Sequence, residues 1–473
     1  MAGAPILVVD LDGTLVRSDM LFETFWSALA ADWRTPFVAA GSLVAGRAVL
    51  KARLALLGPI DVAALPYNDA VLDFVRNWRA DGGRTALVTA SDQALAEAIA
   101  SHLGLFDEVH GSANGTNLKG PAKAGFLARR FGEGYAYVGD AAADLPVWQG
   151  AVRAIMVNPS PGLKARVAAL GRAPEPIAEV RRGLRPYLRA MRPHQWLKNL
   201  LVFLPMLAAH DLGSDTIWRS VVAFVTFCLV ASGVYVLNDL LDLGSDRAHP
   251  RKRNRPLASG DLAIAHGTVL APGLLLLGLG FALLLGPAFA AVMVSYFVLT
   301  TAYSLWLKRR PIIDICMLAG LYTVRIAAGG VAADIPLSVW LLAFSIFFFF
   351  SLAAVKRQAE LVDGVAAGKV TAHGRGYHVD DLPLVANMAI SSGYVAVLVM
   401  ALYVNSPAVL RLYPAPYLLW GICPVLLYWI SRMVMKTHRG QMHDDPVVFA
   451  ATDRVSLACF VVILALATGG ALM

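Results

Sequence analysis

The sequence predicts two domains, an N-terminal α/β domain and a C-terminal all-α bundle of about nine membrane-spanning helices. Two observations indicate this division. The 473 residues are 57% hydrophobic and only 16% charged, whereas an ordinary soluble domain is about one quarter charged. The apolar excess is also uneven, because residues up to about 195 mix charged and apolar side chains, while the remainder consists of long apolar segments joined by short polar loops.

We place the α/β domain at residues 1–165, a basic linker helix at 166–195 and the membrane domain at 196–473. The start, MAGAPILVVDLDG, has no basic segment before its apolar run, so no signal peptide is expected. The four cysteines lie singly in apolar segments, which favours packing over disulfides or metal binding. Apolar stretches long enough to span a bilayer are predicted near 197–212, 216–238, 264–285, 287–306, 312–332, 337–355, 384–404, 414–434 and 454–473.

Basic residues are concentrated in alternate loops of the membrane half. Clusters such as RKRNR at 251–255 and KRR at 308–310 fall on one side, and the other side has almost none except Arg411. Because basic loops mark the cytoplasmic side, the pattern places the N-terminal domain in the cytoplasm and the chain in the cell membrane. It also explains the net charge of +8 without nucleic acid as a partner.

The linker is expected to be a helix that lies on an anionic membrane surface. Ile177, Val180, Leu184, Leu188 and Met191 recur at helical spacing, and arginines occupy the rest of the helix. A plain solvated linker helix is the alternative.

Three strands of the α/β domain are followed by polar side chains. In PILVVDLDGT, Asp10 and Asp12 follow the predicted strand. In TALVTAS the predicted strand ends at Thr89. In YAYVGDAAADLP, Asp140 follows the predicted strand and Asp144 lies four residues later. In an open α/β sheet, ligands bind at the edge where the strands end. Asp10 is a candidate nucleophile, Asp12 a candidate acid and base, and Asp140 and Asp144 would complete a Mg²⁺ site with Asp10.

The order and spacing of these elements resemble the haloacid dehalogenase (HAD) superfamily over about residues 4–165. The resemblance implies a Rossmann-like fold, and its DxD form is that of the phosphatases. It implies Thr89 and Lys123 for phosphate binding, with Lys119 as a rival to Lys123. The insertion at about 18–80 should be a helical cap, whose apolar residues we expect to pack on the core rather than to contact the membrane. An inactive, structural domain is the alternative.

Three aspartates follow an apolar segment in VLNDLLDLGSD. In a helix, Asp239, Asp242 and Asp246 stand at i, i+3 and i+7 and share one face. Carboxylates grouped in this way repel one another unless a cation lies between them, and Mg²⁺ commonly bridges carboxylates to substrate phosphates. A solvated helix end or an ion path are the alternatives. Arg253 and Arg255, in the next loop, suit phosphate oxygens.

NDLLDLGSD resembles the NDxxDxxxD motif of the UbiA-type intramembrane prenyltransferase superfamily, and YSLWLKRRPIID resembles its second motif region. The resemblance runs from about Arg192 to the C-terminus. Four stretches are similar to the polyprenyl-phosphate phosphoribosyltransferase branch: RPHQWLKN at 192–199, AVKRQAEL at 354–361, GRGY at 374–377 and DDPVVFAATDR at 444–454. Prenyltransferases with aromatic acceptors typically carry DxxxD in the second motif, but here Leu318 stands four residues after Asp314.

The resemblance implies a Mg²⁺-dependent transfer of 5-phosphoribosyl from phosphoribosyl diphosphate to a polyprenyl phosphate. Mg²⁺ would be held by Asp239, Asp242 and Asp246, and Asp314 would hold a second metal or orient a ribose hydroxyl. The candidate substrate-binding residues are Lys198, Asn238, Arg253, Arg255, Tyr303, Lys308, Lys356, Arg357 and Arg375.

The fusion suggests that the HAD domain then removes the 5-phosphate, which would give polyprenyl phosphoryl ribose for cell-wall pentofuranose synthesis. An aromatic prenyltransferase and a non-catalytic transporter with a regulatory HAD domain are the alternatives. A homo-oligomer is compatible with the sequence.

Overall fold

The computed structural model describes residues 5–113, 117–132, 134–178, 183–366, 368, 376–442 and 445–472. The contacts within the chain divide it into two compact units. One unit consists of Met1–Met191 with Tyr235–Pro272, and the other of Arg192–Val234 with Gly273–Met473. The aspartate motif at 239–246 therefore belongs to the same unit as the N-terminal domain.

A six-stranded parallel sheet forms the centre of the first unit, with the strand order β3-β2-β1-β4-β5-β6. The strands are β1 Ile6–Val9, β2 Thr85–Asp92, β3 Glu108–Ser112, β4 Tyr135–Gly139, β5 Arg153–Val157 and β6 Pro174–Ala178. All four residues of β1 are buried, as expected for a central strand covered by helices on both faces. This is the α/β fold that the sequence predicts.

The helices of the N-terminal domain divide into a cap and a layer around the sheet. They are α1 Met20–Ala31, α2 Thr35–Ala45, α3 Arg47–Leu57, α4 Asp69–Ala80, α5 Gln93–Leu103, α6 Pro121–Arg130, α7 Leu145–Gly150 and α8 Pro161–Ala169. Helices α1 to α3 form the helical insertion, while Val71 and Val75 place α4 in the core beside the sheet.

The sheet continues beyond the boundary that the sequence suggests at residue 165. Helix α8 packs through Leu163 and Val167 on one face of the sheet, and β6 pairs with β5. Ile177 therefore lies on a strand and not on a linker helix. Among the described residues that follow β6, the α-helix predicted for the linker is restricted to α9, Arg185–Met191, and Val180 lies outside the described residues.

A further apolar core in the first unit joins cap helix α1 to residues 236–271. Phe22, Phe25 and Trp26 of α1 pack with Leu240, Leu243 and other apolar residues from that segment. The indole of Trp26 donates a hydrogen bond of 2.8 Å to Thr268 Oγ1. The cap therefore packs directly on the ends of two long apolar helices.

Those two helices run from one unit into the other and belong to the C-terminal half. The remaining helices are α10 Leu204–Ala208, α11 Ser214–Leu241, α12 Leu243–Ala248, α13 Ile264–Leu284, α14 Pro287–Leu305, α15 Ile313–Ala333, α16 Val339–Ala366, α17 Leu382–Val404, α18 Pro407–Leu412, α19 Ile422–His438, α20 Pro446–Thr452 and α21 Arg454–Leu472.

Within the described residues, eight helical segments are long and apolar enough to cross a membrane, rather than the nine that the sequence suggests. The predicted first span at 197–212 instead begins in a 3₁₀ helix, Pro193–Phe203, and continues into the five-residue α10. Gly329 of α15 packs so closely on this segment that a Cβ atom there would lie 2.0 Å from the Val202 carbonyl oxygen. The segment therefore packs directly on α15 through its backbone at Val202.

Candidate functional site

The carboxyl ends of β1 and β4 bring together the residues that the sequence singles out in the N-terminal domain. Ligand oxygens of Asp10, Asp140 and Asp144 lie within 4.8 Å of one another. Lys123 Nζ lies 2.8 Å from Asp10 Oδ1 and 3.9 Å from Asp144 Oδ1. Lys123 is buried and Lys119 is exposed, so the geometry favours Lys123 over its rival.

Asp12 is held by two donors beside this cluster. The backbone N–H of Met20 and the hydroxyl of Ser91 each donate a hydrogen bond of 2.7 Å to its carboxylate. Burial, together with the nearby charges of Asp19 and Asp10, raises the pKa of Asp12 to about 7. Asp12 can therefore both give and take a proton near neutral pH.

The residues of the cluster fit a divalent cation. Burial and the charge of Asp10 raise the pKa of Asp140 to about 8 and that of Asp144 to about 6, because several carboxylates share a buried space. A bound Mg²⁺ would relieve this repulsion. Gly13, with φ +72°, leaves space for the carboxylate of Asp140, since a Cβ atom there would lie 2.4 Å from Asp140 Oδ2.

Three further residues at this site escape sequence reasoning. Tyr137 accepts a hydrogen bond of 3.0 Å from Lys123 and donates one of 2.9 Å to Asp144. Ser91 binds Asp12, and Lys51 of the cap reaches the carbonyl oxygen of Ala90 at 2.5 Å. Thr89 is buried within β2, three residues before the end of the strand rather than at its end as the sequence suggests, and its hydroxyl accepts a hydrogen bond from Ser91 N. The signal for Ser91 was its position two residues beyond Thr89.

In the aspartate motif, an arginine bridges two of the three carboxylates. Arg255 Nη1 lies 3.1 Å from Asp239 Oδ1 and 2.6 Å from Asp246 Oδ2. Asp242 is half-buried at the break between α11 and α12. Among the described residues, these three carboxylates do not form a group as compact as the one in the HAD domain.

One oxygen of the motif is nevertheless suited to a metal. Asp246 Oδ1 is buried and has no hydrogen-bond partner in the described part of the chain, and Lys252 Nζ lies 3.9 Å away. Burial raises the pKa of Asp246, although Arg255 acts in the opposite direction. Arg255 therefore stands where a cation would neutralise the same pair of acids.

In the second unit, Asp314 lies at the start of α15, and Tyr303 and Arg357 are among its partners. Tyr303 donates a hydrogen bond of 2.8 Å to its Oδ1, and Arg357 Nε lies 2.7 Å from its Oδ2. Asp314 and Arg357 are both buried, and Arg357 also pairs with Glu360. Arg357 is thus committed to carboxylates in this structure.

Two other predicted phosphate-binding residues share one carboxylate. Lys198 Nζ lies 2.7 Å and Lys356 Nζ lies 2.9 Å from Asp445 Oδ2. Burial and the neighbouring cations lower the pKa of Lys198 to about 8, although Asp445 acts in the opposite direction. Burial would raise the pKa of Asp445, but the two lysines hold it far below its usual range. Asp445 lies in DDPVVFAATDR, but its pairing with two lysines from distant segments is a tertiary feature that the sequence does not indicate.

The remaining predicted substrate-binding residues differ in exposure. Arg253 is exposed, while Asn238 and Lys308 are half-buried. Arg375 lies outside the described residues.

A buried ion pair connects the cap to the aspartate motif within the first unit. Arg247 Nη2 lies 2.6 Å from Glu23 Oε1, and the two side chains are 7% and 4% exposed. Arg247 Nη1 makes a second hydrogen bond, of 2.9 Å, to Glu23 Oε2. Arg247 immediately follows Asp246, so the pair fixes the helix that carries the last aspartate of the motif.

The fold and the sites define an integral membrane protein with an N-terminal hydrolase-type domain. Residues 199–452 match the model of the UbiA prenyltransferase family, and residues 7–149 match the model of the haloacid dehalogenase-like hydrolases. The chain belongs to the UbiA prenyltransferase family and carries a HAD hydrolase domain at its N-terminus. It is a multi-pass membrane protein.

Three relatives illustrate the similarity. An uncharacterised protein of Sinorhizobium fredii, y4nM, is 37% identical over 454 residues, covering 95% of this chain and 88% of its own. Nodulation protein NoeC of Azorhizobium caulinodans is 43% identical over 287 residues, covering 60% of this chain and 91% of its own. Decaprenyl-phosphate phosphoribosyltransferase of Mycolicibacterium smegmatis is 43% identical over 179 residues, covering 37% of this chain and 56% of its own.

Proposed function

We propose that the membrane domain transfers 5-phosphoribosyl from phosphoribosyl diphosphate to a polyprenyl phosphate, and that the HAD domain then removes the 5-phosphate. The product would be a polyprenyl phosphoryl ribose, a precursor for cell-wall pentofuranose. The observation that carries the transfer step is the 43% identity to a decaprenyl-phosphate phosphoribosyltransferase over 179 residues.

The second motif region supports the same choice. Asp314 has no carboxylate four residues later, because Leu318 stands there, and its own partners include Tyr303 and Arg357. An enzyme that holds a prenyl diphosphate between two acidic motifs would be expected to present a second acid here. A lipid monophosphate would instead be bound by cationic side chains, and Lys198 and Lys356 lie together at Asp445.

The transfer needs little from the protein beyond position and charge. The bond between the anomeric carbon and the diphosphate breaks, and an oxygen of the lipid phosphate forms the new bond to that carbon. The attacking phosphate is already ionised at neutral pH, so no strong base is required. Mg²⁺, when bound by the aspartate motif, would supply positive charge to the departing diphosphate. Release of Arg255 from Asp239 and Asp246 would make this guanidinium available to phosphate oxygens.

The HAD site supports hydrolysis of a phosphomonoester. Lys123 and the backbone of Leu11 both contact Oδ1 of Asp10, which leaves Oδ2 as the attacking oxygen. Attack of Oδ2 on phosphorus would displace the sugar oxygen, and Asp12 would donate its proton to that oxygen. Asp12 would then take a proton from the water that hydrolyses the aspartyl phosphate, and Mg²⁺ at Asp10, Asp140 and Asp144 would shield the phosphate charge.

Both reactions are proposed for the cytoplasmic face of the cell membrane. The basic loops that flank the aspartate motif and the second motif region are the basis for this orientation. A product that stays at this face would reach the second site at a high effective concentration, since both sites belong to one chain.

The test uses the full chain in nanodiscs with Mg²⁺, a polyprenyl phosphate and phosphoribosyl diphosphate that carries one label in the ribose and another on the 5-phosphate. Both labels should enter the lipid, and the phosphate label should then be released. A reaction with prenyl diphosphate and an aromatic acid should give no product. Transfer to the aromatic acid instead would overturn the proposal.

Matched variants separate the two steps. Asp10→Asn should abolish phosphate release and leave ribose transfer intact, and Asp242→Asn should abolish transfer. Asp73→Asn and Asp215→Asn are the controls, because these aspartates are exposed and Asp215 lies at the opposite end of the helix that leads to Asp242. Loss of the same step in both test variants would contradict the division of labour.

A further inference from the structure

The cap hairpin formed by α2 and α3 exposes large apolar side chains to an unusual degree. Seven of them are exposed in this one region: Trp33 (69%), Phe37 (72%), Leu43 (53%), Val44 (91%), Val49 (46%), Leu56 (79%) and Leu57 (37%). Among the other described residues of the N-terminal domain, from 5 to 178, Val152 is the one large apolar side chain that is similarly exposed. The expectation that the apolar residues of the insertion pack on the core is therefore wrong for these seven residues, whereas Leu50 and Leu54 are buried as expected.

The charge of the hairpin is as one-sided as its apolarity. Between Asp32 and Asp61 the chain has no acidic residue, but it has the basic residues Arg34, Arg47, Lys51 and Arg53. Exposed apolar residues with a surrounding set of cations are characteristic of segments that lie in the interface of an anionic membrane.

The support under the hairpin comes from a helix that itself packs on membrane-entering segments. Leu50 and Leu54 of α3 pack on Phe25 and Ala28 of α1. Helix α1 also uses Phe22 and Trp26 to pack on the ends of α11 and α13, which are two of the eight candidate spans. The hairpin is thus one helix layer away from segments that enter the bilayer.

The same hairpin reaches the segment between Thr89 and Ser91, beside the catalytic carboxylates. Lys51, on α3, contacts the carbonyl oxygen of Ala90 at 2.5 Å and Asn117 Oδ1 at 3.3 Å. Beside it is a cavity of about 460 Å³ whose lining includes Val49 and Leu56 on α3 and Asp92 and Ser112 on the sheet. One element therefore carries both the exposed apolar surface and a cation directed to the phosphatase site.

We propose that the α2–α3 hairpin inserts its exposed apolar residues into the anionic bilayer surface and thereby presents the HAD site to a phosphate carried on a membrane lipid. The inference rests on the proposed phosphatase function and specifies its substrate class. Lys51 would meet the lipid-borne phosphate as it enters, and soluble sugar phosphates would lack the contribution of the membrane to binding.

Membrane contact can be measured without any activity. A photo-crosslinking residue, Val44→benzoylphenylalanine, is placed in the full chain and reconstituted in nanodiscs that contain anionic lipid, with Val152→benzoylphenylalanine as the matched control. Lipid adducts are expected at position 44 and not at position 152. An absence of lipid adducts at position 44, or adducts to a second copy of the chain instead, would overturn the proposal.

Substrate preference is measured with Phe37→Asp/Val44→Asp. This variant should raise the KM for the lipid-linked ribose 5-phosphate roughly tenfold, because the cost of placing charge at the bilayer surface is added to binding, and hydrolysis of p-nitrophenyl phosphate should not change. An equal loss with both substrates would assign the hairpin to folding and overturn the proposal. If the unmodified chain hydrolyses only the soluble ester, the proposed 5-phosphate step fails, while the adducts at position 44 still decide membrane contact.

Discussion

At the scale of single residues, burial of the carboxylates raises their pKa values and so determines which of them carry a proton in the HAD site. Asp12 has a pKa raised to about 7 by burial and by Asp19 and Asp10. It is the acid that the proposed mechanism requires, and Asp10 beside it is held as a carboxylate partner of Lys123.

The first prediction concerns the pH dependence of phosphate release. Because the leaving oxygen needs the protonated form of Asp12, kcat should fall as the pH rises through about 7. Initial rates with ribose 5-phosphate, whose alkoxide leaving group needs the proton, measure the effect across this range. Removal of the Ser91 hydroxyl, which stabilises the charged form of Asp12, should move the falling limb to higher pH in Ser91→Ala, and an unchanged limb would argue against Asp12 as the acid.

The second prediction links the metal to protons. Asp140 and Asp144 have pKa values raised to about 8 and about 6 from an ordinary value of 3.8, so the folded protein binds more protons than the unfolded chain. In the absence of Mg²⁺, the free energy of unfolding should therefore fall as the pH rises from about 4 to about 8. Melting temperatures at several pH values in a chelator measure this fall.

Mg²⁺ should displace those protons and restore the lost stability at the upper end of the range. Calorimetry in two buffers with different ionisation enthalpies should detect net proton release near neutral pH. Asp140→Asn/Asp144→Asn should lose the release and most of the pH dependence, and the part that comes from Asp12 should remain. Proton uptake on Mg²⁺ addition would refute the assignment.

The sequence could predict the acidic residues of this site but not all of their partners. Asp10, Asp140 and Asp144 follow strands, and parallel strands end at one edge, so their meeting could be inferred. Lys51 comes from the insertion and reaches the site only through the packing of α3 on α1. No local pattern encodes that contact.

At the scale of elements, helix α1 has a structural role that its place in the cap does not suggest. It carries Glu23, whose carboxylate makes two bonds to Arg247 in a buried setting, and it covers Leu240 and Leu243. The cap is therefore also a support for the aspartate motif.

The third prediction is that Glu23→Gln destabilises the first unit strongly. Removal of one charge from a buried pair leaves the other without a counter-charge, which typically costs about 3 to 5 kcal/mol. The exposed pair of Asp73 and Arg76 is the control, and Asp73→Asn should cost roughly 0 to 1 kcal/mol. Thermal unfolding in detergent compares the two variants, and equal shifts would contradict the role of the buried pair.

The sequence predicts the eight long helical spans correctly but not the structure of the segment at 197–212, and the reason is physical. The eight long spans follow from apolar length alone. The segment near 197–212 has enough apolar residues, but Asn199 is buried and accepts a hydrogen bond from Arg325, and Pro205 lies in the first turn of a new short helix. A polar contact within the bundle decided its conformation, and hydropathy does not record such contacts.

At the scale of the whole molecule, the two functional halves are not divided where the two structural units are. Residues 235–272, which carry the aspartate motif, share a unit with the N-terminal domain. A sequence boundary at 195 follows composition, whereas the structural boundary follows packing around α1.

The fourth prediction follows from this division. A chain without residues 1–178 should transfer ribose more slowly than full-length Asp10→Asn, because Asp10→Asn removes only catalysis while the truncation uncovers Leu240 and Leu243. Transfer rates at matched protein concentration in nanodiscs make the comparison. Equal rates would mean that the motif needs no support from the HAD domain.

The core that joins α1 to residues 236–271 also bears on how such a fusion can evolve. Two genes that merely shared a promoter could exchange either partner by recombination. Here a replacement hydrolase would have to bring an α1 surface complementary to Leu240, Leu257 and Ile264 and an acid opposite Arg247. The pair is therefore expected to be inherited together, with gene fission or domain exchange selected against in its descendants.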